Sequence, residues 1–208
     1  MKQYNRIMLG EHGMYIADCL DNNYIGAGFL KDYDLSESPY NDEVQWRQKL
    51  VEKYLQVNPD KSAGTARNSI GFLWTICFGL QNGDIVLASN GNSGYNVGEI
   101  TGDYYFAPGT ALPHRRTVEW KKVVIPRKAM SQKLQNSTGS IGTCCNITKY
   151  ADELESLING DVHIVQPTPK ESKEETYKER SLHRLLSNYL LNKNILSDRN
   201  SRSCLSGH

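Results

Sequence analysis

The adjacent tyrosines Tyr104 and Tyr105, the triplet His114-Arg115-Arg116 and Trp120 put planar rings and guanidinium groups into one short stretch of this 208-residue chain. Rings of this kind stack on nucleobases and guanidinium groups pair with phosphates, so the combination reads as nucleic-acid chemistry. The basic run continues through Lys121, Lys122, Arg127, Lys128 and Lys133, with Glu119 as the one acid between Arg115 and Lys133. The formal net charge is only +1, so any electrostatic hold on a polyanion has to come from this local patch, with Arg115, Arg116, His114, Lys121 and Lys122 as its contact residues. If Arg115 and Arg116 contact phosphates, replacing both with alanine should weaken DNA binding across all sequences, make its salt dependence shallower and leave the fold intact. The plainer reading of the same run is a solvated strand edge, where lysines discourage aggregation.

A pocket for a base needs flat walls and a polar group at the base edge. Neighbouring residues on a strand face opposite sides, so only one of Tyr104 and Tyr105 lines a given pocket. Trp74 and Trp46 are the candidate opposite walls, and Asn68, Ser69 and Asn90 the candidate edge readers. Each stacked base contributes roughly 1 to 3 kcal/mol. Trp74 also falls on an apolar helical stripe, and Val118 and Trp120 share one side of a strand, so both tryptophans have a core reading as well.

Catalysis finds less support. Asp84, Glu99 and Asp103 lie close in sequence, yet Asp84 follows the Asn82-Gly83 turn, Asp103 follows Gly102, and Glu99 fits the exposed side of a strand. His114 as a general base has two arginines beside it, which disfavour its cation, so a phosphate contact or a loop-structural role suits it better. The histidines and cysteines lack zinc spacing and the glycine loops lack the P-loop pattern, so no metal and no cofactor are expected. Cys144-Cys145 reads as one buried and one exposed strand residue. The five cysteines are odd in number with no C-x-x-C pair, there is no signal-type apolar segment, and no apolar run approaches about 18 residues. A reducing cytoplasm and no membrane contact are the expectation.

The elements that must position these groups can be read from periodicity. Residues 4–11 and 24–29 read as strands, with a brief helix at 13–20 between them. Residues 43–55 and 62–80 carry apolar residues at helical spacing, the first stopped by Asn58-Pro59 and the second capped by Thr65 or Asn68. The turns at Asn82-Gly83-Asp84 and at residues 90–94 bracket two runs that read as a hairpin. A basic strand follows at 115–120, then a short helix at 126–134, a strand at 140–147 and a helix at 149–158 ended by Gly160.

Read in order, GDIVL (83–87), VGEITGDYYF (97–106), LPHRRTVEW (112–120) followed by IPR (125–127), and a late GSIGT (139–143) resemble the PUA-like group that includes EVE and YTH domains. The resemblance covers residues 4–158 and is nearest to the versions fused to bacterial restriction systems that act on modified DNA. It implies an α+β fold built on a small curved β-barrel flanked by helices, and a modified base flipped into an aromatic pocket. It therefore implies a DNA-binding specificity module, for DNA that is methylated or otherwise modified, acting with a nuclease domain or subunit. An RNA-binding PUA-like regulatory domain and an active restriction endonuclease with an unrecognised site are the alternatives.

Three regions follow: 1–160 as the nucleic-acid-binding domain, 161–180 as a charged linker, and 181–208 as the start of a second, nuclease-associated region with a helical tail. Residues 170–178 are too polar to bury a core. Beyond them Leu182, Leu185, Leu186, Tyr189 and Leu190 return to helical spacing. In the restriction-associated relatives a similar motif, with Asp before the Leu-His pair and Pro after it, opens the nuclease region; here those positions are Ser181 and Arg184. A nuclease core needs several carboxylates around a metal. The residues after Leu186 are too few to supply it, so the chain is expected to be a truncated or split product and non-catalytic.

Overall fold

A computed structural model describes residues 2–36, 42–91, 93–140 and 142–160. The expected linker and helical tail lie outside the described residues.

The described residues form an α+β unit around a six-stranded mixed sheet. In chain order the strands are β1 (Tyr4–Ile7), β2 (Tyr24–Ala27), β3 (Ile85–Ser89), β4 (Gly94–Phe106), β5 (His114–Pro126) and β6 (Cys144–Asn146). They lie in the order β2-β5-β4-β3-β1-β6, and the sheet is open, with β2 and β6 at its edges. β1 runs parallel to β3, with Tyr4 opposite Ile85, and all other pairs are antiparallel. The helices are α1 (Ile16–Asp21), α2 (Glu43–Val57), α3 (Ala63–Trp74), α4 (Gln132–Thr138) and α5 (Ala151–Asn159).

Strand alternation divides the core in two. Ile7, Ile25, Val86, Ala88, Ile100 and Val118 project to one side, where they meet Trp46 of α2 and Ile70 and Leu73 of α3. Tyr4, Ile85, Leu87, Val97 and Ile125 project to the other, where they meet Leu134 of α4 and Leu154 of α5. Burial on both faces explains why β3 reads as an unbroken apolar run with no polar alternation. Two breaks in the β4–β5 register, between Asn96 and Gly98 and between Ile100 and Tyr104, are the bulges by which long strands bend.

The local signals act mostly as chemistry dictates. Asp42 caps α2 by accepting from the Gln45 amide at 3.0 Å, and Ser62 caps α3 by accepting from the Thr65 amide at 3.1 Å. The α3 cap is therefore Ser62, with Thr65 and Asn68 inside the helix. The last residues of the expected 62–80 helix widen into a π turn at Thr75–Gly79, closed by the Leu80 amide donating to the Thr75 carbonyl. Gly160 ends α5 at φ 81°, a left-handed cap that favours glycine. The first strand stops at Ile7, short of the expected residue 11, because Gly10 turns the chain at φ 78°. The expected helix at 126–134 is a single tight turn at Arg127–Ala129, and α4 begins separately after the Ser131 cap.

Candidate functional site

The expected basic strand has a different job. Arg116 is buried, and its guanidinium donates to the Gly102 and Leu80 carbonyls at 2.7 Å each and to Asn82 Oδ1 at 3.4 Å. The β4–β5 register break leaves the Gly102 carbonyl for this bond, so Arg116 ties a bulge to the end of the π turn and is no phosphate contact. His114 is wholly buried as well. The Leu30 carbonyl, which only accepts, lies 3.2 Å from its Nε2, so Nε2 carries the proton and donates. Nδ1 then accepts from the Tyr104 hydroxyl at 2.9 Å, and the Tyr104 oxygen accepts the Leu35 amide at 3.3 Å. Burial lowers the His114 pKa and keeps the ring neutral. The structure thus places His114 in the interior, tying β5 to the loop at Leu30.

The neighbours are used in similar ways. Arg115 donates through Nε to the Leu112 carbonyl at 2.7 Å and lays its guanidinium 3.7 Å from the centre of the Tyr24 ring. Lys121 pairs with Glu99 at 2.8 Å across β4 and β5, and Lys122 is exposed. Among the acids, Asp84 is buried and accepts the Gln3 and Gln81 amides, both at 2.8 Å, which pins the start of β3. Cys144 and Cys145 do face opposite sides of the sheet, each half-buried against a different core cluster. Burial pushes the Cys144 thiol up to about 12, so it is protonated at neutral pH.

The seven expected pocket residues divide. Trp46 is buried in the core, edge-on to Trp74 at 5.1 Å and to Phe78 at 5.6 Å, and forms no wall. Tyr104 is committed to His114 beneath the sheet surface, and Tyr105 is 38 % exposed on the opposite side of its strand. Asn90 sits in the β3–β4 turn, where its Oδ1 accepts the Gly94 amide at 3.1 Å. Trp74, Asn68 and Ser69 do come together. They line one cleft of about 810 Å³, with Phe29 and Phe72 as further walls, the half-buried Arg47 and exposed Arg67 also in its lining, and Asn5 and Cys144 contributed by β1 and β6. That size falls in the range of small-molecule sites.

Asn5 is the unusual member. It is 3 % exposed, and among the described residues its side chain's one hydrogen-bond contact is the Cys144 thiol at 3.9 Å, a weak donor to Oδ1. Asn5 lines the cleft, and among the described residues the buried side-chain atoms without a partner are Arg6 Nε, Trp46 Nε1 and Arg47 Nε. Sequence reasoning passed over Asn5, Phe29, Phe72, Arg47 and Arg67. A polar residue inside the otherwise closed strand Tyr4–Ile7 was the signal available for Asn5.

Two supports hold the cleft in shape. Phe29 follows β2 in the loop that His114 anchors through Leu30, so the buried histidine positions a cleft wall. Arg6 is 1 % exposed and donates to the Gly142 carbonyl at 2.5 Å and to the Ser140 carbonyl, fixing the segment that leads Gly142, Thr143 and Cys144 along the rim.

Residues 6–148, well over half of the chain, match the family model described as a domain of unknown function, DUF8426. The chain belongs to that family. No curated protein matches it. The DUF8426 span holds β2 to β6 and nearly all of the cleft, including Phe29, Arg47, Arg67, Asn68, Phe72, Trp74 and Cys144. It begins one residue after Asn5 and leaves α5 outside. Among the described residues no group of three or more His, Cys, Asp or Glu could hold a metal ion, and no helix is long and apolar enough to cross a membrane.

Proposed function

We propose that this DUF8426 chain is a DNA-binding specificity module of a restriction-type system, and that it reads a modified base flipped into the cleft beneath α3. On this reading the sheet is a PUA-like barrel left open between β2 and β6, bent by the two register breaks in β4 and β5. The carrying observation is Asn5. A carboxamide of low exposure, whose one side-chain contact is a weakly donating thiol, lines a cleft with aromatic walls, where a ligand would take up its remaining hydrogen-bonding capacity. A base edge carrying one donor and one acceptor is the complement of an amide. Phe29, Phe72 and Trp74 supply flat faces, and Arg47 and Arg67 in the same lining suit the phosphates on either side.

The test is fluorescence anisotropy with labelled DNA duplexes carrying a methylated or an unmethylated base, beside RNA of matched sequence. Methylated DNA should bind most tightly. Asn5→Leu, close in volume and without hydrogen-bonding groups, should lower affinity by roughly 1 to 3 kcal/mol and remove discrimination between bases, with little change in Tm. Equal binding of all ligands, or an Asn5→Leu variant that discriminates as well as the parent, would refute the reading. Preference for RNA would move the module to the RNA-binding class.

A further inference from the structure

The cleft does not end at Phe29 and Phe72. Across these two rings and the Gly142-Thr143 rim it meets a second depression of about 710 Å³, and both depressions count those four residues among their walls. The second is mainly apolar, with Tyr15 and Leu112 on its sides and Gly26 and Gly28 in its floor. An added Cβ would come within 2.9 Å of the His114 carbonyl at Gly26 and within 2.7 Å of the Ala111 carbonyl at Gly28, so the neighbouring backbone packs too closely there for a side chain. Through Met8 and His12 the second depression meets a third of about 280 Å³, walled by Ser89, Ser93 and Arg127.

Charge lies at the two ends of this run. Arg47 at the first end is paired with Glu43 at 2.6 Å, whereas Arg67 beside it has no ion pair among the described residues. At the far end Arg127 donates to neutral groups, the Tyr95 hydroxyl at 3.2 Å and the Gln135 carbonyl at 2.9 Å, so its charge has no carboxylate in contact. His12, held at φ 52°, places its side chain almost fully in solvent, with the equally exposed Glu11 at 3.8 Å.

We propose that the three depressions form one trough that carries a single strand of nucleic acid, with the flipped base in the first and the flanking nucleotides running over Phe29, Phe72 and Tyr15 to Arg127. This deepens the base-reading proposal and rests on it. Aromatic side walls with a cation at each end suit a strand whose bases are splayed and whose phosphates bridge the cations. A closed duplex has no free base faces to offer the middle section, so the occupant is a displaced or locally opened strand.

The test uses the full chain with a nucleoside monophosphate, a trinucleotide and a decanucleotide, each carrying the preferred modified base, measured over a range of salt. Affinity should rise at least about tenfold from monophosphate to decanucleotide, with a steeper salt dependence. Arg67→Ala at the base cleft and His12→Glu where the second depression meets the third, both on exposed residues, should each weaken decanucleotide binding; His12→Glu should leave monophosphate binding unchanged, whereas Arg67→Ala should weaken that as well. Arg67→Ala should also reduce the salt slope by about 0.7. Length-independent affinity, or end variants that bind the decanucleotide like the parent, would overturn the trough while the base-reading cleft stood. A salt slope that responds to Lys122→Ala and Lys128→Ala in place of the end variants would route the strand over another surface. Failure of all three ligands to bind would overturn both proposals together.

Discussion

Arg115 and Arg116 are chemically identical neighbours with opposite fates, because a strand sends them to opposite sides. Arg116→Ala should cost about 2 to 4 kcal/mol, since it empties a buried volume and strips the Gly102 and Leu80 carbonyls of their donor. Arg115→Ala loses a half-exposed contact over Tyr24 and should cost about 1 kcal/mol or less. Urea unfolding of the two variants checks the contrast, and equal costs would contradict the burial assigned to Arg116. The sequence-based expectation that both could be removed without harm to the fold is thus corrected for Arg116. His114 yields a pH dependence. Its folded pKa is lowered by burial, so between that value and the unfolded pKa of about 6.5 the unfolded chain takes up a proton that the folded chain refuses. Stability should therefore rise with pH through this window, be complete above about 6.5, and fall as the medium is acidified below it. Thermal melts of the parent and of His114→Gln between neutral and mildly acid pH check this: the variant should be less stable throughout and show a shallower dependence.

Elements were legible where local chemistry sets them. The Asn-Gly turn before β3 and the turn at residues 90–94 mark the β3–β4 hairpin, with Gly91 at φ 74°, and Asn58-Pro59 and Gly160 mark helix ends. What sequence could not show is which side of an element meets the core. The run from His114 to Lys122 reads as one basic patch because charge is visible and strand facing is not. In the structure its members divide between the interior, a ring face, an ion pair and solvent. Non-local pairing was equally hidden. The cleft exists because β6 docks beside β1, and no periodicity within residues 140–147 announces that partner. Hence Trp74, Asn68 and Ser69, which share one helix, were found together, whereas Asn5 and Phe29 arrive from distant segments.

At the scale of the molecule, the buried members of both core clusters among the described residues lie between Tyr4 and Leu154, and α5 closes the second cluster before Gly160 caps it. A chain ending at Gly160 should accordingly unfold cooperatively, with a Tm close to that of the full chain, as calorimetry would show; insolubility or a broad, non-cooperative transition would contradict it. The strand order also bears on how such a chain is made. Ribosomal synthesis delivers β1 and β2 first, yet Tyr4 waits for Ile85 and Tyr24 waits for Thr117 before either strand has its neighbour in the sheet. The nascent chain must then carry two short strands with unpaired edges until β3 and β5 emerge. Completion of the sheet is a late event governed by long loops, and until then the strand edges are open to mispairing.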